Sequence, residues 1–303
     1  MTPFPNHWIV ILAGGSGTRL RGWAGPDGAA HVPKCYRNLD GDGPLIDGAW
    51  NRARRLAPAG RTVIVVAQDH EAWWLPLRAR WPGAVWMVQR HDRGTGGAIL
   101  SAALLVLGRD ADAVMTILPA DHAVRDDKAF AAALKGLRRE AARQAEALIL
   151  LGAPAGAGTD EDGYGWIVPE PANHPTASNE PALRKVARFV PRPAPGAGDR
   201  LRADGALVDT FLVTGTARTL LKLFKLTRPT LVDGALENLL SSGLTPAALI
   251  RSQATLPHLD FGADVLASAA VAPHLLVARL PVCGWADLGT PERVEAWRGQ
   301  VPQ

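Results

Sequence analysis

L-A-G-G-S-G-T-R-L, residues 12–20, is the segment that most strongly indicates how this chain folds. It follows a short apolar segment, residues 8–12, which is typical of a buried strand. Its glycines, Gly14, Gly15 and Gly17, allow the backbone to approach a ligand closely and to point amide groups at phosphate oxygens. A helix is expected directly afterwards, and its N-terminus would favour an anion. The pattern indicates an α/β fold with a phosphate-binding turn; a tight turn without a ligand is the alternative.

This segment, which we call the glycine loop, matches neither of two familiar phosphate motifs. A dinucleotide fingerprint needs a third glycine where Leu20 stands, and an acidic residue where Gln68 follows the next predicted strand. A P-loop needs Gly-Lys-Ser or Gly-Lys-Thr, which the sequence lacks. If the loop binds phosphate, it does so by a third arrangement.

Apolar segments alternate with helical patterns along the first half of the chain. The predicted strands are residues 8–12, 62–67, 85–88 and 114–118, and the predicted helices are residues 44–56, 70–81 and 95–107. Such alternation predicts a parallel sheet with crossover helices.

The second half of the chain continues with further strands and helices. An amphipathic helix is predicted at residues 128–147, with Phe130, Leu134 and Leu137 on one side. Loops and hairpins are predicted for residues 153–195, which are rich in proline and glycine. The other predicted strands are residues 148–151, 186–190, 207–213 and 275–280, and the other predicted helices are residues 216–225 and 291–298. One domain over residues 1–303 is the simplest interpretation.

Composition excludes several classes of protein. The 303 residues are 47% apolar and 20% charged, as in an ordinary globular protein. The net charge is only +4, with arginines spread among acidic residues, so no nucleic-acid partner is expected. Cys35 and Cys283 are the only cysteines and have no metal-ligand spacing around them, so both are expected to be reduced. No apolar run is long enough to span a membrane and no signal peptide is evident, so a cytoplasmic protein is expected.

Two cations strengthen the phosphate interpretation of the glycine loop. Arg19 lies near the end of the loop, and Lys34 follows Pro33 shortly afterwards. A triphosphate attacked at its α-phosphorus develops charge on the non-bridging oxygens and on the departing pyrophosphate, and fixed cations stabilise that charge. Lys34 alone would be interpreted as a solvated loop lysine. With Arg19 it is a candidate catalytic residue.

Five motifs in order resemble those of the sugar-phosphate nucleotidyltransferases, most of all the mannose-1-phosphate guanylyltransferases. They are G-G-S-G-T-R-L (14–20) with Pro33-Lys34, Q-R-H-D-R-G-T-G-G-A-I (89–99), L-P-A-D-H (118–122), G-Y-G-W-I (163–167) and W-A-D-L-G-T (285–290). Together they run from about residue 8 to about residue 295. Each motif is weak alone, but their collinear order is a strong signal.

The resemblance implies a nucleotide-diphospho-sugar transferase fold: a Rossmann-like, mostly parallel mixed sheet flanked by helices. It divides the domain into a nucleotide-binding part, residues 1–125, and a sugar-phosphate-binding part, residues 150–295, without a C-terminal β-helix. It also implies the transfer of a nucleotide from an NTP, with GTP as the leading choice, to a hexose 1-phosphate, with release of pyrophosphate. A homodimer is left open, since the sequence is silent on oligomeric state.

The resemblance also assigns the site residues. Arg19 and Lys34 are the catalytic cations, and Mg2+ would be held by Asp121 and Asp287, since carboxylate and phosphate oxygens suit this ion. A helix-capping aspartate is the alternative for Asp121. The nucleotide-binding candidates are Leu12, Ala13, Gly14, Gly15, Gly17, Thr18, Gln89, Arg93 and Thr95. The sugar-phosphate-binding candidates are Tyr164, Gly165, Arg192 and Asp209.

The chain departs from the family pattern at the predicted sugar pocket. The family's Phe-x-Glu-Lys-Pro reads F-V-P-R-P at residues 189–193, so Pro191 replaces a carboxylate and Arg192 replaces a lysine. Asp209 stands where the guanylyltransferases have asparagine, and Cys35 where relatives have glutamine or proline. The alternatives are therefore a uridylyl- or thymidylyltransferase for glucose 1-phosphate, or a catalytically silent homologue that binds a nucleotide sugar and regulates a true enzyme.

Overall fold

The computed structural model describes residues 6–156, 163–171, 183–194, 196–242 and 254–300. Its strands are β1 (His7–Ala13), β2 (Thr62–Ala67), β3 (Val85–Gln89), β4 (Val114–Pro119), β5 (His122–Val124), β6 (Leu148–Pro154), β7 (Trp166–Pro169), β8 (Arg184–Val190), β9 (Leu207–Thr216), β10 (Leu275–Arg279) and β11 (Trp285–Asp287). Its α-helices are α1 (Leu45–Arg54), α2 (Glu71–Arg80), α3 (Gly94–Leu107), α4 (Asp127–Arg143), α5 (Gly198–Ala203), α6 (Ala217–Thr227), α7 (Pro229–Ser242) and α8 (Pro291–Gly299).

Nine of these strands form one sheet in the order β3-β2-β1-β4-β9-β6-β10-β8-β7. The β1 strand pairs in parallel with β2 and β4, and β6 pairs in parallel with β10. Antiparallel pairings join β9 to both β4 and β6, and β8 to both β10 and β7. Consequently β8 and β9 run against the other seven strands, so the predicted mixed, mostly parallel sheet is confirmed.

The helices cover both faces of the sheet, as the side-chain alternation along β1 requires. Trp8 and Val10 lie in a core shared with α3 and α6. Ile9 and Ile11 lie in a second core shared with α1, α2 and α4. Because both faces are covered, the central strands are mostly apolar, in agreement with the continuous apolar segments of the sequence. Within the described ranges, no helix combines the length and the apolar character that crossing a membrane requires.

The prediction of a helix directly after the glycine loop is wrong. A single 3₁₀ turn, Thr18–Leu20, follows the loop, and a second one, Lys34–Tyr36, carries the lysine. The next α-helix is α1. Gly22, Gly25 and Gly28 lie between the two 3₁₀ turns and have positive φ. A right-handed helix does not allow this conformation, so it cannot continue there.

Several elements were not predicted from the sequence. They are β5, β11, α5, α7 and a π-helical turn, Phe261–Leu266. The β7 and β8 strands pair antiparallel within residues 153–195, where loops and hairpins were predicted. The amphipathic helix predicted to reach residue 147 ends at Arg143 as α4. The other predicted strands and helices are present, with ends that differ by at most three residues.

Candidate active site

The candidate site lies at the carboxyl ends of β1 and β4, where the strand order reverses and α/β sheets place their ligands. The amide of Ala120 donates to the carbonyl of Leu12 at 3.1 Å, which holds the end of β4 beside the glycine loop. A cleft of about 340 Å³ opens there. The predicted site residues that line it are Leu12, Ala13, Gly15, Arg19, Thr95, Asp121, Tyr164, Gly165, Arg192, Asp209 and Asp287.

Two short strands bring the predicted metal ligands together. The β5 and β11 strands pair antiparallel, with Asp287 opposite His122. Asp121 therefore comes beside Asp287, although 166 positions separate them in sequence. The alternative of a helix-capping Asp121 is wrong, because this residue lies between β4 and β5 and the N-cap of α4 is Asp126.

Lys34 does not line the cleft, but its side chain contacts both aspartates. Its side chain is only 4% exposed, its Nζ lies 3.0 Å from Asp121 Oδ2, and it donates a hydrogen bond to Asp287 Oδ1. Burial alone would lower the pKa of Lys34, but the two carboxylates outweigh burial and raise it. Lys34 is therefore a buried cation that fixes both carboxylates, not the solvated loop lysine of the alternative.

Asp287 is surrounded by cations. Besides Lys34, its Oδ2 lies 3.6 Å from a guanidinium nitrogen of Arg19 and 3.4 Å from one of Arg293. Burial alone would raise the pKa of Asp287, but the charge of Lys34 overcomes burial and holds the pKa below its usual range. Arg19 is the more accessible of its partners, with a side chain 48% exposed.

His122 is held as a neutral side chain beside this cluster. The indole Nε1 of Trp285 donates to His122 Nδ1 at 3.2 Å, which leaves the ring proton on Nε2. That nitrogen lies 3.8 Å from Asp121 Oδ1. Burial lowers the pKa of His122, more than the neighbouring carboxylates raise it. It therefore lies beside Asp121 without adding a full charge at neutral pH.

The glycine loop wraps around Lys34. Gly17 has φ +60°, and a Cβ at that position would lie 2.8 Å from Lys34 Cβ. At Gly15 no atom lies within 4 Å of a built Cβ, so the loop is open to the cleft there. Gln89 is buried behind Gly14, and within the described part of the chain its Nε2 has no hydrogen-bond partner. Cys35 packs against the loop, with its Sγ 3.8 Å from the carbonyl of Ala13, and burial raises the pKa of its thiol.

Among the predicted nucleotide-binding residues, Arg93 does not line the cleft. Its guanidinium donates to the carbonyl of Ala254 at 2.7 Å. Thr95 does line the cleft, and its hydroxyl accepts a hydrogen bond from the amide of Phe261 at 2.9 Å. The N-terminus of α3 is thus tied to the π-helical turn.

The predicted sugar end contains two carboxylates and one arginine. Arg192, with φ +40°, pairs with Asp260 at 2.8 Å. The amide of Phe211 donates to Asp209 Oδ1 at 3.0 Å. Burial, reinforced by the nearby charge of Asp260, raises the pKa of Asp209 to about 6. The backbone of Gly165 packs against the ring of Phe189, since a Cβ there would come within 2.9 Å of that ring.

Sequence reasoning missed Asp260, Phe211 and Arg293. Asp260 follows a polar segment without a predicted element, so the sequence carried no signal for it. Arg293 lies three residues after Thr290, the end of the W-A-D-L-G-T motif, and on a predicted helix. That position could have suggested a residue next to Asp287, but the stacking of its guanidinium on Tyr164 is a tertiary contact.

The donor set fits a divalent cation only in part. The carboxylates of Asp121 and Asp287 both face the ammonium of Lys34, so they converge on one point. Across the described ranges, no group of three or more His, Cys, Asp or Glu side chains could hold a metal ion by itself. Oxygen ligands from a bound phosphate chain or from water would therefore have to complete the coordination.

Comparison with known proteins assigns nearly the whole chain to one family. The profile of the nucleotidyl transferase family matches residues 9–297. Among curated proteins, the xanthan biosynthesis protein XanB of Xanthomonas campestris is 33% identical over 187 residues, which cover 61% of this chain and 36% of that protein. The mannose-1-phosphate guanylyltransferase of Salmonella montevideo is 29% identical over 189 residues, 61% of this chain and 37% of that protein. The alignments thus span little more than a third of the length of these relatives.

A solved structure extends the likeness to the fold. The structure named as mannose-1-phosphate geranyltransferase from Thermus thermophilus has a TM-score of 0.81 and 26% identity, and the match covers 98% of this chain and 80% of that one. The mannose-6-phosphate isomerase of Helicobacter pylori shares the fold, with a TM-score of 0.66 and 18% identity over 93% of this chain and 100% of that one. With the family profile matched from residue 9 to residue 297, this chain belongs to the nucleotidyl transferase family.

Proposed function

We propose that this chain is a sugar-1-phosphate nucleotidyltransferase, and specifically that it forms GDP-mannose and pyrophosphate from GTP and mannose 1-phosphate. The observation that carries the proposal is the cleft in which the glycine loop, Arg19, Asp121 and Asp287 meet above the buried Lys34. The curated relatives named as mannose-1-phosphate guanylyltransferases support the choice of substrates.

In the proposed reaction, an oxygen of the hexose 1-phosphate attacks the α-phosphorus of the nucleotide. The new P–O bond forms in line with the bond to pyrophosphate, which breaks and leaves its electron pair on the departing oxygen. Amides of the glycine loop would hold the phosphate chain, and Arg19 would meet the departing charge because half of its side chain is exposed in the cleft. Lys34 lies below and would act by fixing the two carboxylates.

Asp121 and Asp287 would hold Mg2+ together with phosphate oxygens of the nucleotide. The ion would supply neutralisation of the phosphate charge. The three cations around Asp287 oppose the binding of Mg2+ there. The negatively charged triphosphate would offset this repulsion and supply the oxygen ligands that the protein lacks. We therefore expect metal and nucleotide to bind together.

The sugar end of the cleft differs from the family pattern, because Asp209 and Arg192 replace residues of that pattern. Both side chains line the cleft, where Arg192 can bind phosphate and Asp209 can accept hydrogen bonds from hydroxyl groups. A glucose-1-phosphate uridylyl- or thymidylyltransferase is therefore the second candidate. A cytoplasmic location and a homodimer stay predictions.

A matrix of substrates tests this proposal. GTP, UTP and dTTP are each combined with mannose 1-phosphate and glucose 1-phosphate in the presence of Mg2+, and pyrophosphate release is followed. We expect the fastest release with GTP and mannose 1-phosphate, and none after chelation of the metal. Fastest release with a glucose 1-phosphate pair would favour the second candidate. Nucleotide-sugar binding without release from any pair would contradict an enzyme and favour a silent regulatory homologue.

A further inference from the structure

We propose that Arg293 is a positioning residue for the sugar half of the substrate, acting through Tyr164. The inference rests on the proposed function, because Tyr164 is assigned there to the sugar phosphate. Arg293 belongs to none of the five motifs; it lies on α8, three residues beyond the last of them.

The guanidinium of Arg293 lies over the ring of Tyr164, 4.0 Å from the ring centroid. One of its nitrogens also lies 3.4 Å from Asp287 Oδ2, and the side chain is only 11% exposed. The hydroxyl of Tyr164 in turn donates to the carbonyl of Asp287 at 3.5 Å. Arg293, Tyr164 and Asp287 therefore form one closed set of contacts, and a cation on an aromatic face is attracted more strongly when water is excluded.

Arg293 lies outside the cleft, next to residues that line it. A second cavity of about 640 Å³ shares Tyr164 and Asp287 with the cleft. Tyr164 and Asp287 line both cavities, whereas Arg293 lines only the second one. Because Arg293 does not line the cleft, we expect it to act on the reaction through the residues that it contacts, Tyr164 and Asp287 among them.

The helix that carries Arg293 is well anchored. The hydroxyl of Thr290 accepts from the amide of Arg293 at 3.4 Å and caps the start of α8. Val294 and Trp297 are buried in a small core that also contains Leu20, the last residue of the glycine loop. Because α8 is anchored, it holds the guanidinium of Arg293 in place against the ring of Tyr164.

Substituting Arg293 tests the inference with steady-state kinetics. Arg293→Met keeps most of the apolar stem and removes the cation. We expect it to raise the KM for the hexose 1-phosphate about tenfold, the size of a desolvated cation–ring contact, and to change the KM for the nucleotide less, through the lost contact with Asp287. Arg298→Met, an exposed arginine on the same helix, is the matched control and should leave both constants unchanged.

A double-mutant cycle with Tyr164→Leu separates positioning from a general structural role. Without the ring, Arg293→Met should raise the KM for the sugar phosphate no further. Arg293→Lys should stay within about threefold of the wild type, since an ammonium is also attracted to the ring. If the melting temperature shows that Arg293→Met is poorly folded, Arg293→Lys is the variant that tests the inference.

Three outcomes would overturn the inference: an unchanged sugar KM in Arg293→Met, an equal rise in the Tyr164→Leu background, or Arg293→Lys as weak as Arg293→Met. These outcomes require an active wild type, so they contradict the role of Arg293 alone. A wild type that releases no pyrophosphate from any substrate pair contradicts the proposed function first, and the inference with it.

Discussion

Two aspartates of the same cleft have pKa values shifted in opposite directions. Lys34 lowers the pKa of Asp287, whereas burial and the charge of Asp260 raise that of Asp209 to about 6. Among the described residues, Asp209 has no cation paired with it, and it accepts only the amide of Phe211. Asp287 is fixed as an anion, while Asp209 exchanges its proton near neutral pH.

Asp209→Asn should therefore stabilise the protein in a pH-dependent way. A carboxyl with a pKa raised above its unfolded value destabilises the folded state once it ionises, so its penalty is absent in acid and grows as pH rises towards 6. We expect a gain in the free energy of unfolding of about 3 kcal/mol at pH 7.5 and about 1 kcal/mol at pH 4.5. Urea unfolding at the two pH values measures it.

The exposed Asp199 provides the control for this substitution. Its side chain is 90% exposed, so Asp199→Asn should change stability little at either pH. An equal gain from Asp209→Asn at both pH values would contradict the raised pKa. The same variant restores the asparagine of the family pattern, so its sugar preference belongs in the substrate matrix.

At the scale of elements, the glycine loop is followed by a 3₁₀ turn and not by an α-helix. The 3₁₀ turn Thr18–Leu20 is too short to supply a helix N-terminus, so in the proposed reaction the loop amides and Arg19 would bind the phosphates without a helix directly after the loop. Gly17 is the position where this depends on glycine for two reasons: φ is +60° and a Cβ would meet Lys34.

Gly17→Ala and Gly28→Ala separate these two reasons. Both glycines have positive φ, +60° and +67°, but no atom lies within 4 Å of a Cβ built at Gly28. Gly28→Ala should lower the free energy of unfolding by about 1 kcal/mol, the cost of a left-handed alanine, and leave turnover unchanged. Gly17→Ala should cost more and should also slow turnover, because Lys34 has to move. Equal stability and equal turnover in the two variants would contradict the close contact.

The elements that could be predicted from the sequence are those with local signals. The β2 strand is a continuous β-branched run and α4 has a clear apolar side, so both could be found from the sequence. The β5 and β11 strands are three residues long and are stabilised by pairing with each other across more than 160 positions, which leaves no local pattern. Pro229 at the first position of α7 was a usable local signal for a helix that was not predicted.

At the scale of the whole molecule, the sheet gathers residues from distant parts of the chain at one edge. The order β2-β1-β4 places the ends of β1 and β4 side by side, and β11 returns from the far end of the sequence to pair with β5. The motif order predicted Arg19, Lys34, Asp121 and Asp287 as one cluster. It could not predict that Lys34 lies beneath the aspartates or that Arg293 supports Tyr164, because both depend on how separate elements pack.

The paired carboxylates are the centre of the proposed chemistry. The direct test is pyrophosphate release by Asp121→Asn with GTP, mannose 1-phosphate and Mg2+, beside the wild type and Asp199→Asn. We expect Asp121→Asn to lose about a hundredfold or more in rate, since it removes a ligand of the Mg2+ that would neutralise the phosphate charge, with its melting temperature close to that of the wild type. Release by Asp121→Asn at the wild-type rate would contradict this central role.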